Sequence, residues 1–433
     1  MKKAMVFGAG VSGLGAKKLL EHMRYEVILI DDKVGLKSIE GIELLKEVEI
    51  FIKSPGVPYN DLVLEAKKNK IKVIDEIELC YQYMIKYGTT TKIIGVTGTN
   101  GKTTVTTKIT ELLQYSGYKA SYAGNIGVSL AELLLKGEEL DYIVLELSSF
   151  QLENLEKFKP YISLVTNLTP DHLARYRDVE EYYDTKFNIC KNQTKDEYFI
   201  FNLDSEELLK REKLIPATKI EVSQDKKGDC YIESGKMYWR GEEVLEIEKL
   251  SLKGKHNLEN MLFIVTVGKI CGVDNQKIRE FLYTTKTLEH RMEEFFDYGK
   301  LKFINDSKGT NIESTTFAVE AFKGCILICG GYDKKLDWTP LVELIKNRVD
   351  QVYLIGDIAD KLESELLKIQ YEKDRIHLLR DVKTCLEDIK KRYTQSDEEI
   401  VLFSPATSSY DQFKSFEHRG QVFKELVREI FGR

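Results

Sequence analysis

The sequence has no apolar run longer than a buried strand, no excess of positive charge and no paired grouping of cysteine and histidine. Each absence closes a class of function. Strand-length runs cannot cross a bilayer as a helix, so no transmembrane span is expected. A net charge of -6 gives no whole-molecule attraction for nucleic acid or anionic lipid, so an anionic ligand has to be held by local groups. The seven cysteines are scattered and odd in number, which argues against a disulfide framework, and none has zinc spacing. They read as small buried hydrophobes, with Cys325 and Cys329 facing the same side of one strand-like run. Lys2-Lys3 begins like a signal peptide, but glycines at 8, 10, 13 and 15 interrupt any hydrophobic helix. The expectation is a cytoplasmic protein with neither a nucleic-acid nor a membrane partner.

Hydrophobic residues at 42% and charged residues at 31% are ordinary globular usage, and 433 residues suffice for about three domains at roughly 150 residues each. Three α/β blocks are expected: residues 1–91, 92–292 and 293–433. The first opens with strand Ala4–Phe7, the turn Gly8-Ala9-Gly10-Val11-Ser12-Gly13, a helix to about Met23 and a second strand ending at Asp31-Asp32. This Gly-x-Gly-x-x-Gly unit suits a dinucleotide, another diphosphate, or only tight packing of helix on strand. The polar stretch Lys86–Thr91 reads as a linker. The second block has near-continuous apolar strands at 142–147 and 162–167, as in a parallel sheet covered by helices, and a β-rich insertion at about 219–253. The third repeats the pattern with strands near 303–305, 325–329, 352–355 and 400–403.

The most informative stretch follows the strand Ile93–Val96: Thr97-Gly98-Thr99-Asn100-Gly101-Lys102-Thr103-Thr104. Glycines let backbone N–H groups approach phosphate oxygens, a lysine reaches the terminal phosphates and a hydroxyl meets Mg²⁺. The usual spacing places a glycine six residues before the lysine; here that residue is Val96, so the loop is a shortened variant. Glu146 ends a buried strand, where a carboxylate needs a salt bridge or a cation. Asp171-His172 follows the next strand and suits a second metal or a structural role. Asn257 and Asn260 lie one turn apart at a helix start, where they cap the helix or hold an adenine edge. His290-Arg291 stands at the next block junction, within reach of phosphates as that block closes. Lys186, on a helix-like segment, reads from pattern alone as a solvated surface lysine.

These motifs, with Gly124-Asn125-Ile126-Gly127, Leu145–Leu152, Gly254–Asn257, Asn305-Asp306-Ser307-Lys308 and the run Ser404–Gly420, stand in the order seen in the Mur ligases, which the chain resembles along essentially its whole length. The Leu-Glu-Leu-Ser-Ser-Phe-Gln-Leu string and the C-terminal run resemble the branch that adds D-glutamate. The resemblance implies a Rossmann-like N-terminal domain, a central P-loop ATPase-type mononucleotide-binding domain and a Rossmann-like C-terminal domain. It implies ATP-dependent amide-bond formation between UDP-N-acetylmuramoyl-L-alanine and D-glutamate through an acyl phosphate, in a monomer. Lys102, Glu146, His172 and Lys186 match catalytic positions, the last being the lysine that the family carbamylates. Thr103, Glu146, His172 and Lys186 match ligands of two Mg²⁺ ions. Gly98 to Thr104, Asn257, Asn260, Arg291, Asp306 and Lys308 match the ATP contacts. Asn125, Ser148 and His172 match the acceptor carboxylate's surroundings; Val11, Ser12, Asp31 and Lys33 match its UDP end; Lys334, favoured over the adjacent Lys335, with Ser409 and Phe416 matches the D-glutamate pocket. Two departures stand out. Leu173-Ala174-Arg175 replaces the Met/Leu-Asp-Arg that often follows Asp-His, and Asp31-Asp32-Lys33 differs from the Asp-Thr-Arg of some members. The other readings are a sister Mur or folylpolyglutamate-type ligase, a nicotinamide-dependent oxidoreductase using Gly8–Gly13 and Asp31, and a nucleotide-binding module without turnover.

Overall fold

The computed structural model describes residues 2–171, 175–252, 254–334 and 337–432, and divides into two compact units, Met1–Thr285 and Lys286–Arg433. His172 and Lys335, both singled out from the sequence, lie outside the described residues.

The first unit holds two sheets. The first contains β1 (Lys2–Phe7), β2 (Tyr25–Ile30), β3 (Ile50–Lys53) and β4 (Lys72–Ile74), all parallel, in the order β2-β1-β3-β4. The turn after β1 therefore lies between those after β2 and β3, and Ser54 Oγ donates to the Gly8 carbonyl at 3.2 Å. Helix Glu76–Tyr87 absorbs Lys86 and Tyr87, capped at its N-terminus by Asp75 and closed by left-handed Gly88. The linker is thus shorter than its polar composition suggests.

The second sheet is built from β5 (Lys92–Thr97), β6 (Ala120–Gly124), β7 (Tyr142–Glu146), β8 (Ile162–Val165), β9 (Tyr198–Asn202), β10 (Thr218–Ser223), β11 (Cys230–Glu233), β12 (Lys236–Trp239) and β13 (Glu242–Glu246). Its order is β13-β12-β11-β10-β9-β8-β5-β7-β6. The segment read as an insertion is an edge of this sheet: β10 pairs parallel with β9, and β11, β12 and β13 continue it as antiparallel hairpins. Both faces are covered, with Ile94, Val96, Val144 and Leu164 in one apolar cluster and Ile143, Leu145 and Val165 in another.

A buried acidic clasp joins the two sheets of this unit. Glu78 accepts the backbone N–H groups of Glu156, Lys157 and Phe158 at 2.9–3.0 Å, and Glu76 accepts that of Ala131 at 2.6 Å. Carboxylates on helix Glu76–Tyr87 thus satisfy amides of the following block, which binds residues on either side of the short linker into one compact body.

The second unit holds β14 (Glu293–Tyr298), β15 (Leu301–Asn305), β16 (Ile326–Gly330), β17 (Gln351–Ile355), β18 (Ile376–Arg380) and β19 (Ile400–Phe403), in the order β14-β15-β19-β16-β17-β18. All pair in parallel except β14, which forms an antiparallel hairpin with β15. All seven cysteines are buried and free.

Candidate active site

Strand order explains why distant motifs meet. β5 lies between β7 and β8, with Val96 beside Glu146 and Thr97 beside Val165. The phosphate loop after β5 therefore emerges between the loops after β7 and β8, at the point where the order of connections reverses. Open α/β sheets leave a crevice there, beyond the strands' carboxyl ends.

The loop turns through Gly98 at φ 137° and Gly101 at φ 81°, both in the left-handed half of the map, and helix Lys102–Tyr115 begins with no side chain capping it. Residues after β8 brace it. Asn167 Oδ1 accepts the Asn100 N–H at 2.8 Å, Thr166 Oγ1 donates to the Asn100 carbonyl at 2.5 Å, and Thr99 Oγ1 donates to the Thr169 carbonyl at 3.0 Å. Lys102 Nζ folds back to the Gly98 and Thr99 carbonyls at 2.9 and 2.7 Å. Thr103 and Thr104 occupy the first helical turn, and the hydroxyl of Thr104 is buried without a hydrogen-bond partner among the described residues.

Lys186 corrects the expectation of a surface lysine. Helix Val179–Phe187 turns it inward, where it is 2% exposed and donates to the Gly98 carbonyl at 2.9 Å, the oxygen that Lys102 also uses. Its ammonium lies 4.4 Å from the centre of the Tyr182 ring, and the Tyr182 hydroxyl is 3.4 Å from Thr99 Oγ1. Burial, then the neighbouring Lys102 charge, hold the Lys186 amine well below its usual range, with Asp171 opposing. Nothing local to residues 180–190 signals this; only the packing of that helix against the loop does.

Glu146 is 2% exposed. One carboxylate oxygen accepts Asn125 Nδ2 at 2.9 Å, and the other has no hydrogen-bond partner among the described residues. A buried carboxylate oxygen without a donor is costly unless a cation meets it, so the donor set suits a hard metal ion. The Asn125 N–H also donates to the Glu146 carbonyl, at 2.8 Å. Ser148, two residues on, caps the short helix Ser149–Leu152 with Gln151.

Asn260 belongs to the same constellation. Its helix, Lys255–Ile270, starts at Gly254 with no side-chain cap, so neither Asn257 nor Asn260 is the cap. Asn260 is buried, and its amide oxygen lies 2.7 Å from where a Cβ on Gly101 would stand. Asn257 lies one turn earlier on that helix.

On the first sheet, Val11 opens helix Val11–His22 and is exposed beside Ser12. Asp31 is taken up by the chain itself: it accepts the N–H groups of Ala9 at 2.7 Å, Lys33 at 2.8 Å and Val34 at 3.1 Å, which hold its carboxyl below the usual range. That use of the acidic residue removes the main support for a nicotinamide dinucleotide, whose ribose needs a free acceptor there.

In the second unit the matched residues gather at the carboxyl ends of β15, β16 and β19. Asp306 is buried, accepts Ser404 Oγ at 2.7 Å and the Met292 N–H at 3.2 Å, and is pushed up by burial to about 6, with Arg291 opposing. Lys308 Nζ lies 4.9 Å from the centre of the Phe416 ring, and Ser307 Oγ donates to the Phe416 carbonyl. Lys334 donates to the Thr310 carbonyl at 3.0 Å, and Ser409 is buried at the head of the turn closed by Phe413. Beneath them Arg419, 1% exposed, donates to Ser307 Oγ, the Ser307 carbonyl and the Thr407 carbonyl at 2.8–3.0 Å. Burial lowers it to about 10, and it gives this edge a fixed positive charge.

The Mur ligase middle domain matches residues 96–268. The UDP-N-acetylmuramoylalanine--D-glutamate ligase of Fusobacterium nucleatum is 58% identical over 432 residues, with all of both chains covered. The chain belongs to the Mur ligase family. A ligase of the same name from Thermoanaerobacter sp. (strain X514) is 36% identical, with 99% of this chain and 98% of that one covered. Among solved structures, the UDP-N-acetylmuramate-alanine ligase of Thermotoga maritima aligns with a TM-score of 0.60 at 18% identity over 99% of both chains. The MurF ligase of that organism, in complex with ADP, gives a TM-score of 0.61 at 18% identity over 90% and 91%. At such identities the likeness is one of fold, and the fold is the α/β architecture of Mur ligases. As a member, the chain is an ATP-dependent ligase that forms peptide bonds. No helix among the described residues is long and apolar enough to cross a membrane.

Proposed function

We infer that this chain adds D-glutamate to UDP-N-acetylmuramoyl-L-alanine at the expense of ATP, in the synthesis of the peptidoglycan precursor. The observation that carries the chemistry is the convergence of the phosphate loop, Glu146 and the buried Lys186 where strand order reverses. The substrate assignment rests on the full-length likeness to ligases of that name.

In this reading residues 1–91 hold the UDP end of the acceptor through Val11, Ser12 and Lys33, with Asp31 shaping the turn. Residues 92–292 bind ATP, and residues 293–433 bind D-glutamate. Gly98 to Thr104 cradle the phosphates, and Lys102 leaves the loop carbonyls to meet them. Asn257 and Asn260, with Arg291, Asp306 and Lys308, complete the ATP contacts. Asn125, Ser148 and His172 surround the acceptor carboxylate. Lys334, Ser409 and Phe416 receive D-glutamate, a dicarboxylate suited to a cationic edge. Thr103, Glu146, His172 and a carbamylated Lys186 are the oxygen and nitrogen donors for two Mg²⁺ ions. When bound, those ions neutralise charge on the phosphates during transfer. Addition of CO2 needs a neutral amine, and burial shifts Lys186 toward that form.

The acceptor carboxylate takes the γ-phosphoryl group from ATP, releasing ADP. The amine of D-glutamate then attacks the acyl carbon, and phosphate leaves as the amide forms. The protein contributes position and fixed charge. A monomer working in the cytoplasm, where ATP is regenerated, is part of the same reading. The test is ADP formation with UDP-N-acetylmuramoyl-L-alanine and a panel of D-glutamate, L-alanine and L-lysine, with a folate acceptor in parallel. Turnover confined to the muramoyl acceptor with D-glutamate is expected; equal turnover with another pair refutes it.

A further inference from the structure

Glu153 stands just after the short helix that follows Ser148, and Arg175 stands four residues after Asp171. Their side chains, 10% and 20% exposed, meet as a two-pronged ion pair: Arg175 Nε donates to Oε1 at 2.9 Å and Nη2 to Oε2 at 2.8 Å. The guanidinium lies 4.3 Å from the centre of the Phe150 ring, and its remaining nitrogen donates to the Val57 carbonyl at 3.4 Å. Tyr176 adds its hydroxyl to Glu153 Oε1 at 3.3 Å. From the first sheet, buried Lys53 at the end of β3 brings its ammonium to 3.6 Å from Glu153 Oε2, and the Tyr59 hydroxyl donates to Asn154 Oδ1 at 2.9 Å. One carboxylate therefore gathers three segments: the turn after β3, the loop after β7 that carries Ser148, and the loop after β8 that carries Asp171.

We propose that the Glu153–Arg175 ion pair is a positioning device for the acceptor, fixing the turn that follows β3 at a set distance from the loops that meet the acceptor carboxylate. The inference rests on the acceptor assignment made above. Neither residue is matched to a substrate contact, and neither acts on the reacting atoms. A buried ion pair is a poor way to gain stability, since apolar residues of like volume often serve as well or better. What the fork supplies is direction: two parallel hydrogen bonds and a guanidinium seated over the Phe150 ring hold three segments in a single mutual orientation. An apolar contact would glue them without setting their spacing, and small misplacements of bound reactants are expensive in rate. Removing the carboxylate would also leave Lys53 and Arg175 as facing like charges; their mutual repulsion, second to burial, already holds Lys53 down at about 8.

The experiment uses the full chain carrying Glu153→Gln, Arg175→Gln, both together, and Arg175→Lys, with KM and kcat measured separately for acceptor, ATP and D-glutamate. Glu153→Gln is expected to raise the acceptor KM at least tenfold while the other two stay within twofold. The double variant is expected to be no worse than the poorer single one. Arg175→Lys keeps the charge and loses the fork, so it is expected to fold normally and show the same selective rise, smaller in size. A merely structural role would lower the melting temperature without separating the acceptor KM from the others. Equal changes in all three constants, additive losses, or an acceptor KM within twofold of the unsubstituted chain would overturn the proposal. If the unsubstituted chain forms no ADP with the muramoyl acceptor, the acceptor assignment falls and the proposal with it. Normal turnover with an unmoved KM in Glu153→Gln removes the positioning role alone.

Discussion

Replacing Gly98 by alanine tests the phosphate loop at its tightest point. The residue sits at φ 137°, and a Cβ there would stand 2.0 Å from Thr166 Oγ1 and 2.9 Å from the Thr166 backbone nitrogen. The hydroxyl can rotate away, but only by giving up its 2.5 Å bond to the Asn100 carbonyl; the backbone nitrogen, paired in the sheet with Thr97, cannot. A non-glycine residue in that region costs about 1–3 kcal/mol, and the lost hydrogen bond about 1 kcal/mol, so a destabilisation of about 2–4 kcal/mol follows. For a compact unit running from Met1 to Thr285 that corresponds to a fall of roughly 3–7 °C in melting temperature. The Gly98 carbonyl also carries both Lys102 and Lys186, so the shift reaches the two ammonium groups together. Thermal unfolding followed by circular dichroism reads the first effect, and ADP titration by calorimetry the second, where at least a tenfold loss of affinity is expected. Gly101→Ala is the control: its Cβ would meet the movable Asn260 amide at 2.7 Å, so the loss should be smaller. A Gly98→Ala variant that melts within about 1 °C of the parent, where the φ strain alone predicts more, and binds ADP normally would refute this account of the loop.

Lys186→Met keeps most of the length and removes a buried amine. It should fold at least as stably as the parent, because burying the polar amine is costly and a thioether there is not. It should also lose nearly all D-glutamate ligation; parent-like turnover would exclude a carbamate at this position. Glu146→Gln should leave the Asn125 contact open to its amide oxygen yet lose most Mg²⁺-dependent turnover, with chelation of the parent by EDTA giving the same loss. Glu76 is raised by burial from 4.5 to about 7 in the folded chain, so the folded state binds the extra proton between those values. Stability therefore falls as pH rises through that window, by at most about 3 kcal/mol. Glu76→Gln keeps an acceptor for Ala131 and should out-melt the parent at pH 8 while matching it near pH 4; an unchanged difference between the two pH values would rule this out.

Several features were legible in the chain order alone. The glycines, lysine and threonines of the phosphate loop are contiguous, and backbone geometry with local charge is enough to recognise a phosphate cradle in them. The apolar runs at 93–96, 142–147 and 162–167 announced a parallel sheet for a similarly local reason, since strands buried on both faces need no alternation. The hairpin strand β14 and the edge strand β18 escaped notice, because half-buried residues such as Glu293–Tyr298 carry no such signature.

Tertiary structure alone decided the rest. Lys186 lies in a charged helix and could as well have faced water; packing against Gly98 buried it, and burial changed its chemistry. Asn257 and Asn260 looked like caps until Gly254 proved to be the cap and Asn260 proved to touch the loop. Asp31 looked like a ribose ligand until three backbone N–H groups claimed it. For Lys186 and Asn260, and for the Ala9 N–H on Asp31, the deciding partner lies on another segment, and which segments meet is settled by strand order and side-chain packing, to which spacing along the chain is blind.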